Sequence, residues 1–132
     1  MNVWTSEYKS HQGNFGLGRA IAYYTSKGYP VNLPLNDTQK YDLVVDINGS
    51  LKRVSVKTTQ YKHKHSNYYT VHLKNSGGSG GKHIIRNFDN STCDLVFIAT
   101  VADELYEIPS NEILVKTGLT LTSKWDKYKT KL

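Results

Sequence analysis

Hydrophobic and polar residues alternate most clearly in the segment 41–57, YDLVVDINGSLKRVSVK. Two β-branched runs flank Asn48-Gly49, the dipeptide most typical of a two-residue type I′ turn. With these two residues in the turn, Ile47 faces Ser50, and counting outwards places Asp42 opposite Ser55. The pattern therefore predicts a β-hairpin whose register is fixed by its turn.

This register divides the predicted hairpin into two faces, because successive side chains in a strand point to opposite sides. The apolar face contains Tyr41, Leu43, Val45, Ile47, Val54 and Val56, and we expect it to be core. The opposite face contains Asp42, Val44, Asp46, Arg53, Ser55 and Lys57. For Asp46 and Arg53 we expect no more than a cross-strand ion pair.

A helix is predicted over residues 14–27, where apolar residues recur at helical spacing: Leu17, Ala20, Ile21 and Tyr24. Gly28 follows as a stop signal. Glycines at 13, 16 and 18 lower helix propensity, and packing against a neighbouring strand explains them better than a ligand contact. GNFGLG is not a nucleotide-binding loop, because no strand precedes it and no Lys-Ser/Thr pair follows it.

The remaining pattern predicts a strand at 29–33, another around 68–73, and a flexible Gly/Ser loop at 75–82. The apolar run CDLVFIAT is typical of a strand buried on both faces, and ELYEIP completes a second hairpin. Ser110 is expected to cap a short helix ending at Leu114. Residues 119–132 are expected to form a basic tail. This order predicts a single mixed α/β domain spanning 1–132, built around one sheet.

Composition narrows the range of partners and compartments. The 132 residues include 17 Lys or Arg and 11 Asp or Glu, a net charge of +6 that favours an extended polyanion as partner. The single cysteine, Cys93, cannot form an internal disulfide and is expected in the core. Because no run is apolar enough for a membrane span or signal peptide, we expect a cytoplasmic protein.

Positive charge is concentrated between Lys52 and Lys82, where the sequence contains no Asp or Glu and tyrosines lie among the cations. Such a segment can follow DNA phosphates, although a solvated charged face is the alternative interpretation. His63 and His65 have no Cys or carboxylate at zinc-ligand spacing, so a structural zinc is not expected. The residues that we expect to bind DNA are Arg53, Lys62, Lys64, Lys74, Lys82 and Arg86.

Asp42 and Lys57 share the polar face of the hairpin and suggest a metal-dependent phosphodiester site. A carboxylate suits Mg²⁺, which prefers oxygen ligands, and a lysine can orient the nucleophile or neutralise a phosphate oxygen. A simple cross-strand ion pair between the same two residues is the alternative, because any pair of strands offers such a match.

Four segments together resemble the PD-(D/E)XK nuclease superfamily, and within it the endonucleases associated with group I introns. They are QGNFGLGRAIAYYTSKGYPV, LPLNDTQKYDLVVD, LKRVSVKTT, and CDLVFIA followed by LYEIP, and they span about residues 12–115. The resemblance implies a mixed β-sheet flanked by helices and Mg²⁺-dependent cleavage of double-stranded DNA. It also implies a homo-oligomer, a dimer or tetramer, matched to a long and roughly palindromic site, and a prokaryotic or phage-infected host cell.

The same resemblance makes Asp42 the metal-binding aspartate and Lys57 the lysine that ends the signature. Two residues before that lysine the signature has Asp, Glu or Gln, whereas this chain has Ser55, whose short hydroxyl weakens the ligand or leaves its place to water. For the glutamate that some members supply from the first helix, Gln12 is the nearest candidate. The Val56 carbonyl is expected to complete the metal shell.

Three functions follow from these observations. The first is a sequence-specific, homing-type DNA endonuclease that uses Mg²⁺. The second is a catalytically impaired DNA-binding protein that keeps the nuclease fold, and Ser55 is the residue that supports it. The third, a structural subunit that binds polyanions, explains the charge but leaves the pairing of Asp42 with Lys57 unexplained.

Overall fold

The computed structural model describes residues 2–5, 7, 9–36, 38–77 and 84–132, with the backbone alone for 75–77 and 84. Three short 3₁₀ helices lie at Val3–Thr5, Ser110–Glu112 and Ser123–Tyr128. The other elements are α1 (Lys9–Ser26), β1 (Val31–Asn32), β2 (Leu43–Ile47), β3 (Ser50–Thr59), β4 (Thr70–His72), β5 (Asn75–Gly77), β6 (Ile84–Arg86), β7 (Leu95–Thr100), β8 (Leu105–Pro109), β9 (Gly118–Thr120) and β10 (Lys129–Thr130).

Six of these strands form one sheet in the order β1-β2-β3-β7-β8-β10. β3 and β7 pair in parallel and the other neighbours pair antiparallel, so the sheet is mixed, as predicted. Two further pairs, β4–β9 and β5–β6, lie outside this sheet. β3 occupies an interior position, with the antiparallel β2 on one edge and the parallel β7 on the other. In the described part of the chain, no helix is long and apolar enough to cross a bilayer.

The β2–β3 hairpin has the predicted register, in which Leu43 pairs with Val54 and Ile47 pairs with Ser50. Asn48 (φ 53°) and Gly49 (φ 90°) both adopt the left-handed conformation that a type I′ turn requires.

The predicted cross-strand ion pair between Asp46 and Arg53 is wrong. Oδ1 of Asp46 accepts a hydrogen bond from the Gly49 N–H at 2.7 Å, so this carboxylate supports the turn. Arg53 instead pairs with Asp94, across the other edge of β3.

The sheet is covered by hydrophobic residues on both faces. On one face α1 packs against a cluster that includes Leu43, Val45, Val54 and Phe97. On the other face Val96 and Ile98 pack with Cys93 and with residues from the C-terminal third of the chain. The five residues from Val96 to Thr100 are all buried, which confirms a strand enclosed on both sides.

Tyr41 does not lie on the face predicted for it, because it packs against the Cys93 cluster rather than with Leu43. It precedes the first residue of β2, so the alternation of the strand does not extend to it.

Helix α1 begins at Lys9, earlier than predicted, and buries Gln12, Gly16, Ala20, Tyr23 and Tyr24. It ends before Gly28, which adopts φ +78° as its predicted role as a stop requires. Gly16 lies against Thr58 and Val56 of β3, so packing on a strand explains this glycine. Because Lys9 contacts Tyr61, beyond the end of β3, helix α1 runs antiparallel to that strand.

Long-range pairing changes several predictions for the second half of the chain. Asn75–Gly77, expected within a flexible loop, pairs with Ile84–Arg86, while Lys82 lies outside the described residues. The predicted Ser110 cap is wrong, because the Ser110 hydroxyl donates to the Cys93 carbonyl at 2.6 Å and caps no helix. The residues predicted to form a basic tail are instead part of the fold: β9, a 3₁₀ helix and β10 lie within residues 118–130, and Trp125 joins the core.

The contact between α1 and β3 predicts opposite effects of two glycine substitutions. A Cβ at Gly16 would collide with Thr58 Cγ2, so Gly16→Ala is expected to lower the free energy of unfolding by about 1–3 kcal/mol. At Gly18 nothing lies within 4 Å, so Gly18→Ala is expected to raise it by about 0.5–1 kcal/mol through helix propensity. Urea denaturation of both variants measures the difference, and equal effects would contradict the close approach at Gly16.

Candidate active site

Asp42 stands immediately before β2, and its backbone and side chain both bond to β3. Its N–H donates to the Val54 carbonyl at 2.8 Å, and its Oδ2 accepts the Val56 N–H at 2.6 Å. The side-chain bond takes the place of the next step of the β2–β3 ladder, which ends at Leu43. An exposed carboxylate is thereby held in one orientation at the edge of β3.

Lys57 lies close enough to Asp42 for their charges to interact. The β2–β3 pairing ends at Leu43 and Val54, so Asp42 is positioned by its own two bonds to β3, while alternation along β3 places Lys57 on the face of Ser55. The Lys57 side chain is partly buried, and this burial lowers its pKa below the ordinary value. The Asp42 carboxylate acts in the opposite direction and raises the pKa of Lys57, so the two predicted residues interact through their charges.

Ser55 and Cys93 lie beneath this pair. Ser55 is 4% exposed and Cys93 is 2% exposed, so neither side chain offers an open surface to a ligand. Burial raises the pKa of the Cys93 thiol, outweighing the charges of Arg53 and Lys57 and a hydrogen bond from the Ser55 N–H, which all lower it. Cys93 is therefore a neutral core thiol, as predicted, and Ser55 is part of the floor of the site.

The Val56 carbonyl and Gln12 are the other two predicted participants. The N–H and C=O of one strand residue point to the same edge, so the Val56 carbonyl points towards the side on which Asp42 binds its N–H. Gln12 lies one turn before Gly16 on the face of α1 that covers β3, and is 6% exposed. Its Nε2 has no hydrogen-bond partner among the described residues, which leaves a buried amide donor unsatisfied.

The donor atoms of the site limit which metal could be held. Among the described residues, no group of three or more His, Cys, Asp or Glu side chains could hold a metal ion. The oxygen donors are the Asp42 carboxylate and the Val56 carbonyl. Mg²⁺ keeps several waters and commonly uses one or two carboxylates together with substrate phosphates. The residues therefore fit a cation that keeps most of its waters and takes its remaining ligands from the phosphates of the substrate. They do not fit a metal whose ligands all come from the protein.

Asp94 is a structural counterpart of Asp42 that the sequence analysis did not identify. It stands immediately before β7, its N–H donates to the Arg53 carbonyl at 2.8 Å, and its Oδ2 accepts the Arg53 N–H at 2.8 Å. Both aspartates begin the tripeptide Asp-Leu-Val, and both bind β3, on opposite edges. The repeated tripeptide is the signal that could have revealed this second aspartate.

The two aspartates differ in their partners. Oδ2 of Asp94 also contacts Nε of Arg53 at 3.3 Å, and the same guanidinium donates to the Ser91 carbonyl at 3.3 Å. Partial burial alone would raise the pKa of Asp94, but hydrogen bonds and charge from Arg53 lower it overall. Asp42 forms no salt bridge with any residue that the structure describes. Of the pair, Asp42 is the carboxylate available to a ligand.

The residues predicted to contact DNA divide into three groups. The guanidinium of Arg53 binds the Asp94 carboxylate and the Ser91 carbonyl, so it connects β3 to the residues that precede β7. Lys82 lies outside the described residues. The remaining four are exposed on the segment that follows β3: Lys62, Lys64, Lys74 and Arg86.

Burial of Lys57 predicts a stability gain when its charge is removed. Because the pKa is lowered in the folded state, the folded chain binds this proton less tightly than the unfolded chain, and the cost is present throughout the neutral pH range. Lys57→Met is expected to raise the free energy of unfolding at pH 7 by about 0.5–2 kcal/mol. The gain should shrink as the pH rises towards the ordinary lysine pKa of about 10.4.

Denaturation at several pH values checks this prediction, with the exposed Lys74→Met as control. A loss of stability in Lys57→Met would show that contacts of the ammonium outweigh the cost of burying it.

Comparison with known proteins supports the fold described above. A sequence-family model described as PD-(D/E)XK endonuclease matches residues 8–130. A solved structure of a bacterial homing endonuclease, I-Ssp6803I, is similar with a TM-score of 0.76 and 20% sequence identity. The similarity covers 94% of this chain and 89% of that one. Among curated protein sequences, none matches this chain.

Proposed function

The chain belongs to the PD-(D/E)XK endonuclease family, and from this premise we propose that it is a Mg²⁺-dependent, sequence-specific endonuclease of the homing type that hydrolyses double-stranded DNA. One observation carries the proposal. The Asp42 carboxylate is fixed on the Val56 N–H beside a partly buried lysine, whereas the equivalent Asp94 is neutralised by Arg53.

Each residue of the site has a distinct task in this proposal. Asp42 and the Val56 carbonyl would hold the cation at the edge of β3. Bound there, Mg²⁺ would lower the pKa of a coordinated water and would stabilise the negative charge on the phosphoryl oxygens. Lys57 can orient the attacking water or neutralise a phosphate oxygen, and its lowered pKa makes release of a proton easier.

Ser55 and Gln12 are assigned supporting roles. The family signature has a metal ligand at the position of Ser55. Because the Ser55 side chain is buried, we propose that a water takes this ligand position and that the serine hydroxyl forms part of the floor of the site. Gln12 lies on the α1 face of the sheet, whereas Ser55 and Lys57 lie on the Cys93 face. We therefore assign its unsatisfied amide to the edge of β3 near Asp42, where it can donate a hydrogen bond to a bound water.

A second candidate function is supported by the same buried serine. Without a carboxylate or carboxamide at position 55, the site has fewer metal ligands than the family signature provides. A protein of this kind would bind DNA without cutting it. In both candidates we propose a homo-oligomer, a dimer or tetramer, because two-fold copies of a small chain can cover a long, nearly palindromic site and reach both strands.

The two aspartates provide a matched test of the catalytic proposal. With plasmid DNA and Mg²⁺ or Mn²⁺, the wild-type protein is expected to nick or linearise the substrate. Asp42→Asn and Lys57→Ala should each reduce the cleavage rate at least about a hundredfold, while DNA binding persists. Asp94→Asn should lower stability by weakening the bond to Arg53 but leave cleavage within a few-fold of wild type.

Other outcomes identify the alternatives. Tight binding without cleavage by the wild-type protein would replace the first candidate with the second, and nicking gained by Ser55→Gln would identify a nuclease impaired at that position. Equal losses of cleavage in Asp42→Asn and Asp94→Asn would contradict the assignment of Asp42 as the metal-binding carboxylate.

Phosphate contacts predict that DNA affinity falls steeply as salt concentration rises, because bound cations release counterions from the duplex. Lys62→Ala should reduce the slope of log K against log [salt] by about 0.9, the value for one phosphate contact. Fluorescence anisotropy between 50 and 300 mM salt measures both slopes. A flat response of the wild-type protein would remove the role given to the basic surface.

A further inference from the structure

Residues 61–70 form a narrow two-armed projection, here called the finger, that continues the chain beyond β3. The Lys62–Tyr69 bridge and bonds from His63 N–H to the Tyr68 carbonyl and from Thr70 N–H to the Tyr61 carbonyl, each 2.8 Å, join its arms. Residues 64–67 connect the arms, and within this turn Ser66 N–H donates to the His63 carbonyl at 3.2 Å. The finger therefore has the backbone pairing of a short antiparallel ribbon.

The base of the finger is fixed to three elements of the fold. The Thr59 hydroxyl, at the end of β3, donates to the Thr70 carbonyl at 2.5 Å. The Tyr69 carbonyl accepts the N–H of Leu121, which follows β9, at 2.8 Å. Lys9 of α1 donates to the Tyr61 hydroxyl at 3.1 Å. A base held from three sides gives the tip a defined position relative to the sheet.

The surface of the finger is cationic and hydrogen-bonding. Most of its side chains are exposed, namely Tyr61, Lys62, His63, Lys64, His65, Asn67 and Tyr68. The sequence contains no Asp or Glu from Ile47 to Phe88, so no carboxylate within this stretch neutralises the lysines. The Lys62 ammonium lies 5.4 Å from the centre of the Tyr69 ring, an arrangement that restrains its side chain.

We infer that the finger enters the major groove of the DNA substrate and that Lys64 and Asn67 at its tip determine the base preference. This inference rests on the proposed function only in taking duplex DNA as the ligand. The major groove is about 12 Å wide and admits a two-stranded β-ribbon. Lysine donates to guanine O6 and N7, and asparagine forms paired hydrogen bonds with adenine, so the exposed tip carries side chains that distinguish bases.

The length of chain between Lys57 and the finger also sets an upper limit on the distance between the recognised bases and the cut. Lys57 and the finger belong to one continuous stretch of chain, and His65 in the turn follows Lys57 by eight residues. At about 3.3 Å per residue, the tip lies at most about 26 Å from Lys57. Since B-DNA rises about 3.4 Å per base pair, the bases contacted by the tip should lie within about eight base pairs of the cleaved phosphate.

The test separates base recognition from binding strength and from cleavage. Binding of the full-length protein to a randomised duplex library in Ca²⁺, followed by sequencing, gives the preferred base at each position without requiring hydrolysis. Asn67→Ala, which leaves the charge unchanged, is expected to lower the preference at one or two adjacent positions by roughly tenfold to a hundredfold. Lys64→Ala should act at a neighbouring position and also weaken binding to all sequences.

Lys27→Ala is the matched control for charge. Lys27 is exposed just beyond the far end of α1, roughly 27 Å along the helix from Lys9 at the base of the finger, so its removal should leave the preferred sequence unchanged. Cleavage of the preferred sequence, measured separately in Mg²⁺, then locates the cut relative to the affected bases.

The outcomes distinguish this inference from the proposed function. A sequence preference that depends on Asn67 and Lys64 in a protein that never cleaves supports the finger and overturns the nuclease. Cleavage with a preference unchanged in both tip variants, or binding without any preference, overturns the finger. Affected bases more than about eight base pairs from the cut would contradict the geometry of a single chain.

Discussion

The structure depends on two aspartates that hold β3 at its two edges. Asp42 and Asp94 each donate a backbone N–H to a β3 carbonyl and accept a β3 N–H with a carboxylate oxygen. Charge-assisted bonds of this kind are shorter and stronger than ordinary ladder bonds. They tie the start of the antiparallel neighbour β2 and the start of the parallel neighbour β7 to one strand, and hydrophobic layers cover both faces of the resulting sheet.

The difference between the two aspartates leaves one edge of the sheet with an exposed carboxylate and the other with a carboxylate paired to arginine. On the β7 side, the guanidinium of Arg53 forms an ion pair with the Asp94 carboxylate, so this edge has a structural role. On the β2 side the ladder ends early, Asp42 remains exposed, and Lys57 is partly buried beside it at a cost reflected in its lowered pKa. This pairing of an exposed carboxylate with a partly desolvated ammonium is the arrangement on which the proposed function rests.

Local patterns were sufficient to predict the part of the molecule that carries this site. The dipeptide Asn48-Gly49 predicts the turn and the register from Leu43 to Val54, and alternation predicts that Ser55 and Lys57 share one face of β3. Asp42 precedes β2 and is positioned by its own bonds to β3. Interactions between distant segments explain most errors. Asp94 binds Arg53 because β7 returns parallel to β3, and the Ser110 hydroxyl binds the Cys93 carbonyl; the partners are 41 and 17 residues apart in the sequence. Tyr41 precedes β2, so the alternation of side chains in that strand does not predict the face on which Tyr41 lies.

The same strand connects the proposed chemistry with the proposed recognition. β3 carries Lys57, bonds through Thr59 to the base of the finger, and leads directly into it. A nuclease that reads sequence with one element and cuts with another must keep a constant distance between them, and flexible linkers cannot do so over a few base pairs. A β-strand in the interior of a sheet, held on both edges by aspartates, can keep that distance constant. Its rigidity therefore serves recognition as much as it serves the position of the carboxylate.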